Sequence, residues 1–429
     1  MPLKEQLESI LERRKKRDLC RSLVIASPSS VDFSSNDFLG LSRNKVLNEK
    51  FLNTLITFPH PPLGSTGSRL LDGNSSYAES LDKFLAEFHN AESALMFTSG
   101  FDANVGFFSS VPQPGDAVII DEFVHASVHD GVRNSRASLI TSFKHNDVEN
   151  LKLVLENVIT KIGTKNNIFV AVESLYSMDG DFSPLKEIVE TLRPFNAYLF
   201  VDEACIDLNS YQMSVAEFSP YNYVKLISQK YTTIAHSNGV YGYQGRGIVS
   251  ELGLERHVFA RLHTFGKALA SNGAVILGPK ILRSYLINYA RPLIFSTFLS
   301  YNNLISIKCS YEVMSSEIGD QLRQNLMKLI NIFRSNIKLP HDVLLPSTSA
   351  IQGIIVPGNE NAVKLSRIIQ KVGYNVKPIR SPTVPVGKER VRICIHADNT
   401  EEEILGLISV IEDYFKENMG IRNNYISRL

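Results

Sequence analysis

The sequence carries no charge of one sign in excess. Its 45 Lys and Arg against 44 Asp and Glu leave a formal net charge of +1. That removes any bulk electrostatic case for a nucleic-acid or anionic-membrane partner. Cysteine is scarce and scattered at Cys20, Cys205, Cys309 and Cys394, with no CxxC pair. Neither a disulfide framework nor a zinc site is expected, no metal is assigned, and a reduced intracellular compartment fits. No apolar run approaches the ~18 residues that a membrane span needs. Residues 1–23 are charged throughout and lack the apolar centre of a secretory signal. Leu3, Leu7, Ile10 and Leu11 recur there at helical spacing. The basic run Arg13-Arg14-Lys15-Lys16-Arg17 reads as a solvated helix face, with a nuclear address as the rival reading.

What remains is the composition of an ordinary globular protein, 44% apolar and 21% charged over 429 residues. That length favours one large domain and a smaller one. There is no internal repeat and no low-complexity linker. Ala117–Asp121, Asn167–Glu173, Ala197–Asp202, Val258–His263 and Gly273–Leu277 read as buried strands. Helical patterns such as Tyr77–Phe88 and Pro184–Leu192 fall between them. The alternation predicts an α/β fold, a mainly parallel central sheet with helices on both faces. Past residue 300 the pattern becomes long helices over Tyr301–Ile337, short strands near Ala350–Val356 and Arg390–His396, and a helix over Glu401–Lys416. The expected organisation is an N-terminal helix and arm (residues 1–57), a large domain (58–300) and a smaller α+β C-terminal domain (301–429).

In parallel sheets chemistry gathers at the carboxyl ends of strands, where Asp202 and Thr264 are expected. Lys267 follows in Thr264-Phe265-Gly266-Lys267-Ala268, among small residues just after a buried strand. A partly desolvated lysine can hold a Schiff base, although a plain surface lysine is the commoner reading of such a residue alone. Asp202 ends a buried strand; it suits a pyridine nitrogen kept protonated by a buried carboxylate, or else a helix cap or a metal-binding aspartate. Gly100-Phe101 suits a phosphate cradle at a helix N-terminus, or else a turn. His125 could stack on a flat cofactor, or could be structural.

Taken together these stretches resemble a known family. Ser35-Asn36-Asp37-Phe38-Leu39-Gly40-Leu41, Gly64-Ser65-Thr66-Gly67-Ser68-Arg69, Ser99-Gly100-Phe101, His125-Ala126-Ser127, Ser177-Met178-Asp179-Gly180-Asp181, Asp202-Glu203-Ala204 and Thr264-Phe265-Gly266-Lys267 look like the α-oxoamine synthases, in that family's order and over nearly the whole chain. These are fold-type I pyridoxal-phosphate enzymes. The resemblance implies pyridoxal 5'-phosphate as cofactor, an amino acid and an acyl-CoA as substrates, a homodimer, and no nucleic acid or membrane. It implies that Lys267 binds the cofactor covalently and later moves a proton. Asp202 would pair with the ring nitrogen, His125 stack on the ring, and Ser177 and His236 bond near the phenolic oxygen. Gly100, Phe101 and Thr264 would hold the phosphate. Arg392 would grip the substrate carboxylate with a bidentate pair, and Asn36 and Glu173 would support the substrate site.

Four branches of the family make 8-amino-7-oxononanoate, aminolevulinate, aminoketobutyrate and ketosphinganine. Tyr289-Ala290-Arg291-Pro292-Leu293-Ile294-Phe295-Ser296-Thr297 is most similar to the first, the biotin-pathway branch that joins L-alanine to a pimeloyl thioester. The rivals are a glycine-using branch or an inactive paralogue. The chain ends Ser427-Arg428-Leu429, one conservative change from the peroxisomal Ser-Lys-Leu address. A peroxisomal location, otherwise a cytoplasmic one, is the expectation.

The sequence departs from the family at one place. The family motif reads Asp-Glu-Ala-His-Ser, yet Cys205 follows Ala204 here, and the continuation His236-Ser237-Asn238-Gly239 comes only after residues 205–235. Either this segment is a surface excursion that leaves and returns at one point, or it is translated intron. The second is favoured, because insertions settle at exposed loop tips and this one splits a catalytic motif. Phe38 and Tyr77 stand where the family often has tyrosine and histidine.

Overall fold

The computed structural model describes residues 2–16, 19–20, 22–58, 61–176, 179–204, 239–381 and 383–418. The interruption at 205–235, His236, Ser177 and the C-terminal tripeptide lie outside the described residues.

A seven-stranded sheet forms the centre. Its strands are β1 (Ser93–Phe97), β2 (Ala117–Asp121), β3 (Leu139–Phe143), β4 (Ile168–Glu173), β5 (Ala197–Asp202), β6 (Ala260–Thr264) and β7 (Ala274–Gly278). They lie in the order β1-β7-β6-β5-β4-β2-β3. β3, β2, β4, β5 and β6 run parallel, and β7 is antiparallel to both of its neighbours, β6 and β1. This is the mainly parallel sheet expected. β4 reads IFVAVE and is buried along its length, because helices cover both faces. β3 at the edge alternates instead, exposing Ile140 at 45%.

Side chains of a strand point alternately to its two faces, and the core divides accordingly. Val118, Ile120, Phe169, Ala171, Phe200 and Leu262 pack with Phe107 and Phe108 of helix α1 (Gly100–Ser110) and Val128 and Val132 of helix α2 (Ala126–Arg133). Ile119, Val170, Val172, Leu199 and Val201 join the other cluster, with Leu151, Leu155, Ile188 and Leu192. Burial of each phenylalanine contributes about 1.5–3 kcal/mol. Counting on from Phe200 puts Asp202 on the α1 face and Glu203 on the opposite one. The same parity puts Glu173 and Thr264 on the α1 face and His263 behind it.

Beyond residue 300 come helices Tyr301–Met314 and Glu317–Asn336, within the stretch where long helices were expected. An antiparallel sheet of β8 (Ile351–Ile355), β9 (Lys377–Ile379) and β10 (Arg390–Cys394) follows, in the order β9-β10-β8, as expected of the smaller domain. Helix Glu401–Glu417 closes it with a capping box between Thr400 and Glu403. The arm before residue 40 lies along this domain. Val31–Asp32 pairs in parallel with Tyr374–Asn375, and Phe33 O and Phe38 O accept from Cys394 N and Ala397 N. No helix among the described residues is long and apolar enough to cross a membrane.

Candidate active site

β5 ends on Asp202 and β4 ends on Glu173, and the two are register partners. Both are nearly inaccessible, at 3% and 2% exposure. Asp202 is held from two sides: its Oδ2 accepts from Asn104 Nδ2 at 2.7 Å, and its Oδ1 from Ala204 N at 2.8 Å. Burial raises its pKa against the opposing pull of the Asn104 amide and of Lys267. Burial and the neighbouring Asp202 push Glu173 well above the usual carboxylate range, while Lys267 and the backbone N–H of His125 pull it back. Lys267, half-buried after β6, lies near enough to both carboxyls to lower their pKa values.

Asn104 lies one turn inside α1 and is 1% exposed. Its Nδ2 also donates to Ser127 Oγ at 2.9 Å, and Ser127 Oγ lies 2.5 Å from His125 Nδ1. A continuous polar chain therefore links Asp202, Asn104, Ser127 and His125. Close helix contact makes it possible. A Cβ on Gly131 of α2 would come within 2.9 Å of Asn104 O and of Phe108 Cβ, so only glycine lets α2 approach α1 this closely.

α1 begins at Gly100, with Ser99 as N-cap accepting from Asp102 N. Its first turn faces the end of β6: a Cβ on Gly100 would lie 3.8 Å from Thr264 Oγ1. Open backbone N–H groups at a helix start and a nearby hydroxyl form an anion cradle. Phe101, at the same start, is 46% exposed.

Arg392 of β10 is 1% exposed, and its Nη2 donates to Ser34 O at 3.5 Å. Its Nε and Nη1 have no partner among the described residues. A buried guanidinium with free donors suits a carboxylate supplied from outside. Asn36 Oδ1, on the arm that carries Ser34, is likewise buried and unpartnered.

The structure thus brings Lys267, Asp202, Glu173 and His125 to one end of the sheet, sets Gly100 against Thr264, and holds Arg392 and Asn36 on the small domain and its arm. Asn104 and Ser127 were not singled out from sequence. A signal existed for Asn104, four residues after Gly100 on the same helical face. Nothing local marked Ser127 beyond its place beside His125. Behind the sheet, Glu203 Oε2 sits 3.0 Å from His263 Nε2, and Glu203 Oε1 accepts from Val249 N at 3.0 Å. This acid anchors structure and takes no part in the pocket.

The pocket fits pyridoxal 5'-phosphate on these observations. A buried carboxylate, a lysine beside it, a helix-start anion cradle and unpartnered donors for a carboxylate lie at one end of the sheet and on the small domain that flanks it. The chain matches the family of class I and II aminotransferases over residues 28–411. It is 43% identical to an 8-amino-7-oxononanoate synthase of Emericella nidulans, over 96% of both chains. It is 33% identical to an aminoacyl transferase of Byssochlamys spectabilis, over 92% of this chain and 83% of that one. A serine palmitoyltransferase structure from S. paucimobilis shares the fold at a TM-score of 0.78 and 21% identity, covering 96% of this chain and 97% of the other. The chain belongs to the class I and II aminotransferase family, in its α-oxoamine synthase group, and is a pyridoxal-phosphate-dependent C-acyltransferase.

Proposed function

We propose that this enzyme condenses L-alanine with a pimeloyl thioester, giving 8-amino-7-oxononanoate, coenzyme A and carbon dioxide, as a step of biotin biosynthesis. The observation that carries the reading is the 43% identity, spanning 96% of both chains, to the synthase of Emericella nidulans. The stretch Tyr289–Thr297 supports it.

Pyridoxal phosphate, when bound, supplies a protonated ring that draws electrons from the substrate Cα. Lys267 would hold the cofactor, and its Nζ would take the Cα proton of alanine. Asp202, kept in place by Asn104 and Ala204 N, presents a carboxylate to the ring nitrogen. His125, tethered through Ser127, would hold the cofactor ring, and Ser177 and His236 are the residues that the family resemblance assigns to its phenolic oxygen. The Gly100 helix start, Phe101 and Thr264 bind the phosphate. Arg392 takes the alanine carboxylate on its free Nε and Nη1, and Asn36 Oδ1 accepts a hydrogen bond from the substrate. A protonated Glu173 keeps net charge low beside Asp202. A carbon–carbon bond forms between Cα and the thioester carbonyl, the thiolate leaves, the carboxylate departs as carbon dioxide, and Lys267 returns the proton.

The test is turnover of alanine, glycine and serine, each with pimeloyl-CoA and palmitoyl-CoA. Alanine with pimeloyl-CoA should exceed every other pair by at least about tenfold in kcat/KM. Preference for another amino acid or for the long chain would overturn the reading, and the 33% identity to an aminoacyl transferase makes that the second reading. No turnover with any pair would mark an inactive paralogue.

The apolar Leu3, Leu7, Ile10 and Leu11, exposed on helix Leu3–Lys15, support a homodimer, which sedimentation would show as twice the mass of the chain. The Ser427-Arg428-Leu429 ending supports a peroxisomal address. A fluorescent reporter carrying Tyr425–Leu429 should form puncta that coincide with peroxisomes; a diffuse signal would reject it.

A further inference from the structure

His145 sits in the turn after β3 with a carboxylate at each ring nitrogen. Nδ1 is 2.9 Å from Asp121 Oδ1, and Nε2 is 2.8 Å from Asp181 Oδ2. A neutral imidazole has one N–H and can donate to only one of them; two acceptors require the imidazolium. Phe123 stacks on the ring at 4.5 Å, and Tyr176 meets it edge-on at 4.4 Å.

Each carboxylate belongs to a different segment of the chain. Asp121 ends β2 and is fully buried. It shapes the turn leading to His125, its Oδ1 accepting from Phe123 N at 2.9 Å and its carbonyl from Val124 N at 3.2 Å. Asp181 lies in the segment that follows β4 and carries Ser177. Asn146, in the left-handed region at φ 54°, adds a second tie, its Nδ2 donating to Asp181 Oδ2 at 2.8 Å and to Phe182 O at 3.1 Å. The same segment is fastened to the small domain. Asp179 pairs with Arg390, and a Cβ on Gly180 would strike Ser347 Oγ at 2.5 Å and Ile351 O at 2.6 Å.

We propose that His145 is a positioning residue: a permanently charged imidazolium that fixes the turn leading to His125 to residues 179–182, which the small domain also holds, so that His125 keeps one position at the end of the sheet. The proposal rests on the reading above for the role of His125, but not for the state of the ring. Burial disfavours the cation, yet the hydrogen bonds and charges of Asp121 and Asp181 outweigh it and carry the pKa to about 10. The other groups facing the ring's surroundings are Glu122, whose Oε1 accepts from His145 N at 2.9 Å, Tyr176, and on its own turn Lys144 and Asp147.

The test uses the full chain without ligand, labelled with 15N at histidine. One ring should remain doubly protonated at about pH 8.5, and its signals should vanish in His145→Gln. A neutral ring at that pH overturns the proposal. Asp181→Asn, at a partly exposed carboxylate, should lower that titration by about a pH unit or more; an unchanged titration also overturns it. In the cofactor-loaded enzyme Asp181→Asn should change the circular dichroism of the bound cofactor and lower kcat about tenfold, with KM for the amino acid changed less than about twofold. Unaltered dichroism together with unaltered kcat would refute the positioning role even if the ring is charged. Failure to bind cofactor at all would instead count against the pocket reading, leaving the ligand-free titration to judge His145.

Discussion

Glu173 and Asp202 face each other across adjacent parallel strands, both buried, with the pKa of each raised and Lys267 beside them. Two carboxyls so close do not both ionise readily. Glu173, with no side-chain amide to hold its charge, is the one that keeps the proton.

A first prediction follows for Glu173→Gln. The folded-state pKa of Glu173 lies above its unfolded value, so the native carboxyl imposes no penalty below about pH 4.5 and a growing one above it. The amide escapes that penalty. The melting temperature of the ligand-free variant should therefore gain on the parent steadily from about pH 5 to pH 8. A gap that stays constant or reverses over that range would mean that Glu173 is ionised in the folded enzyme.

Asn104→Ala cuts the chain between Asp202 and Ser127. It leaves a buried carboxylate oxygen without its donor, at a cost of about 1–3 kcal/mol in urea unfolding. The pKa of Asp202 should rise further, so the acid limb of the kcat profile should move to higher pH. Equal stability and an unmoved profile would show that the amide is dispensable.

Arg392 separates binding from stability. Its guanidinium is buried with two donor nitrogens unpartnered. Arg392→Met should therefore raise the stability of the ligand-free enzyme, by about 1–4 kcal/mol, while abolishing saturation by the amino acid. Arg392→Lys should raise the KM for the amino acid by about tenfold or more, because one ammonium cannot reproduce a bidentate pair, and leave that for the thioester unchanged. A destabilised Met variant would mean that the cation is already satisfied in the free enzyme.

Lys267→Ala should fold normally and still take up pyridoxal phosphate through the Gly100 cradle. Turnover should fall below about one-hundredth of the parent rate. Borohydride should no longer fix the cofactor to the protein. Retention of a reducible cofactor bond would move the covalent link to another lysine.

Much of this was readable along the chain because long buried strands leave continuous apolar runs. β2, β5 and the ends of β4 and β6 are of that kind, and the functional groups at their carboxyl ends stood out as polar breaks. β3 was missed since its half-exposed LITSF pattern carries little apolar signal at the sheet edge. β1 was missed too, although all five of its residues are buried; five residues are too few to distinguish a strand from the neighbouring helices by periodicity. The partnership of Asn104 with Asp202 joins residues 98 positions apart, and that of His145 with Asp181 joins residues 36 apart. Such contacts are products of helix packing and loop return, and no spacing rule announces them.

Asp202 and Glu203 are consecutive acids that the pleat of one strand sends to opposite sides. One meets an amide beside the cofactor pocket, and the other meets an imidazole in the rear core. The sheet thus works as an electrical partition, letting two carboxyls one residue apart be tuned separately. It also makes the site intolerant of frame. A single-residue deletion within β5 would bring Glu203 to the pocket side in place of Asp202, with a side chain one methylene too long, and would leave His263 facing no acid. Length variation in this family should therefore be absent from the strand.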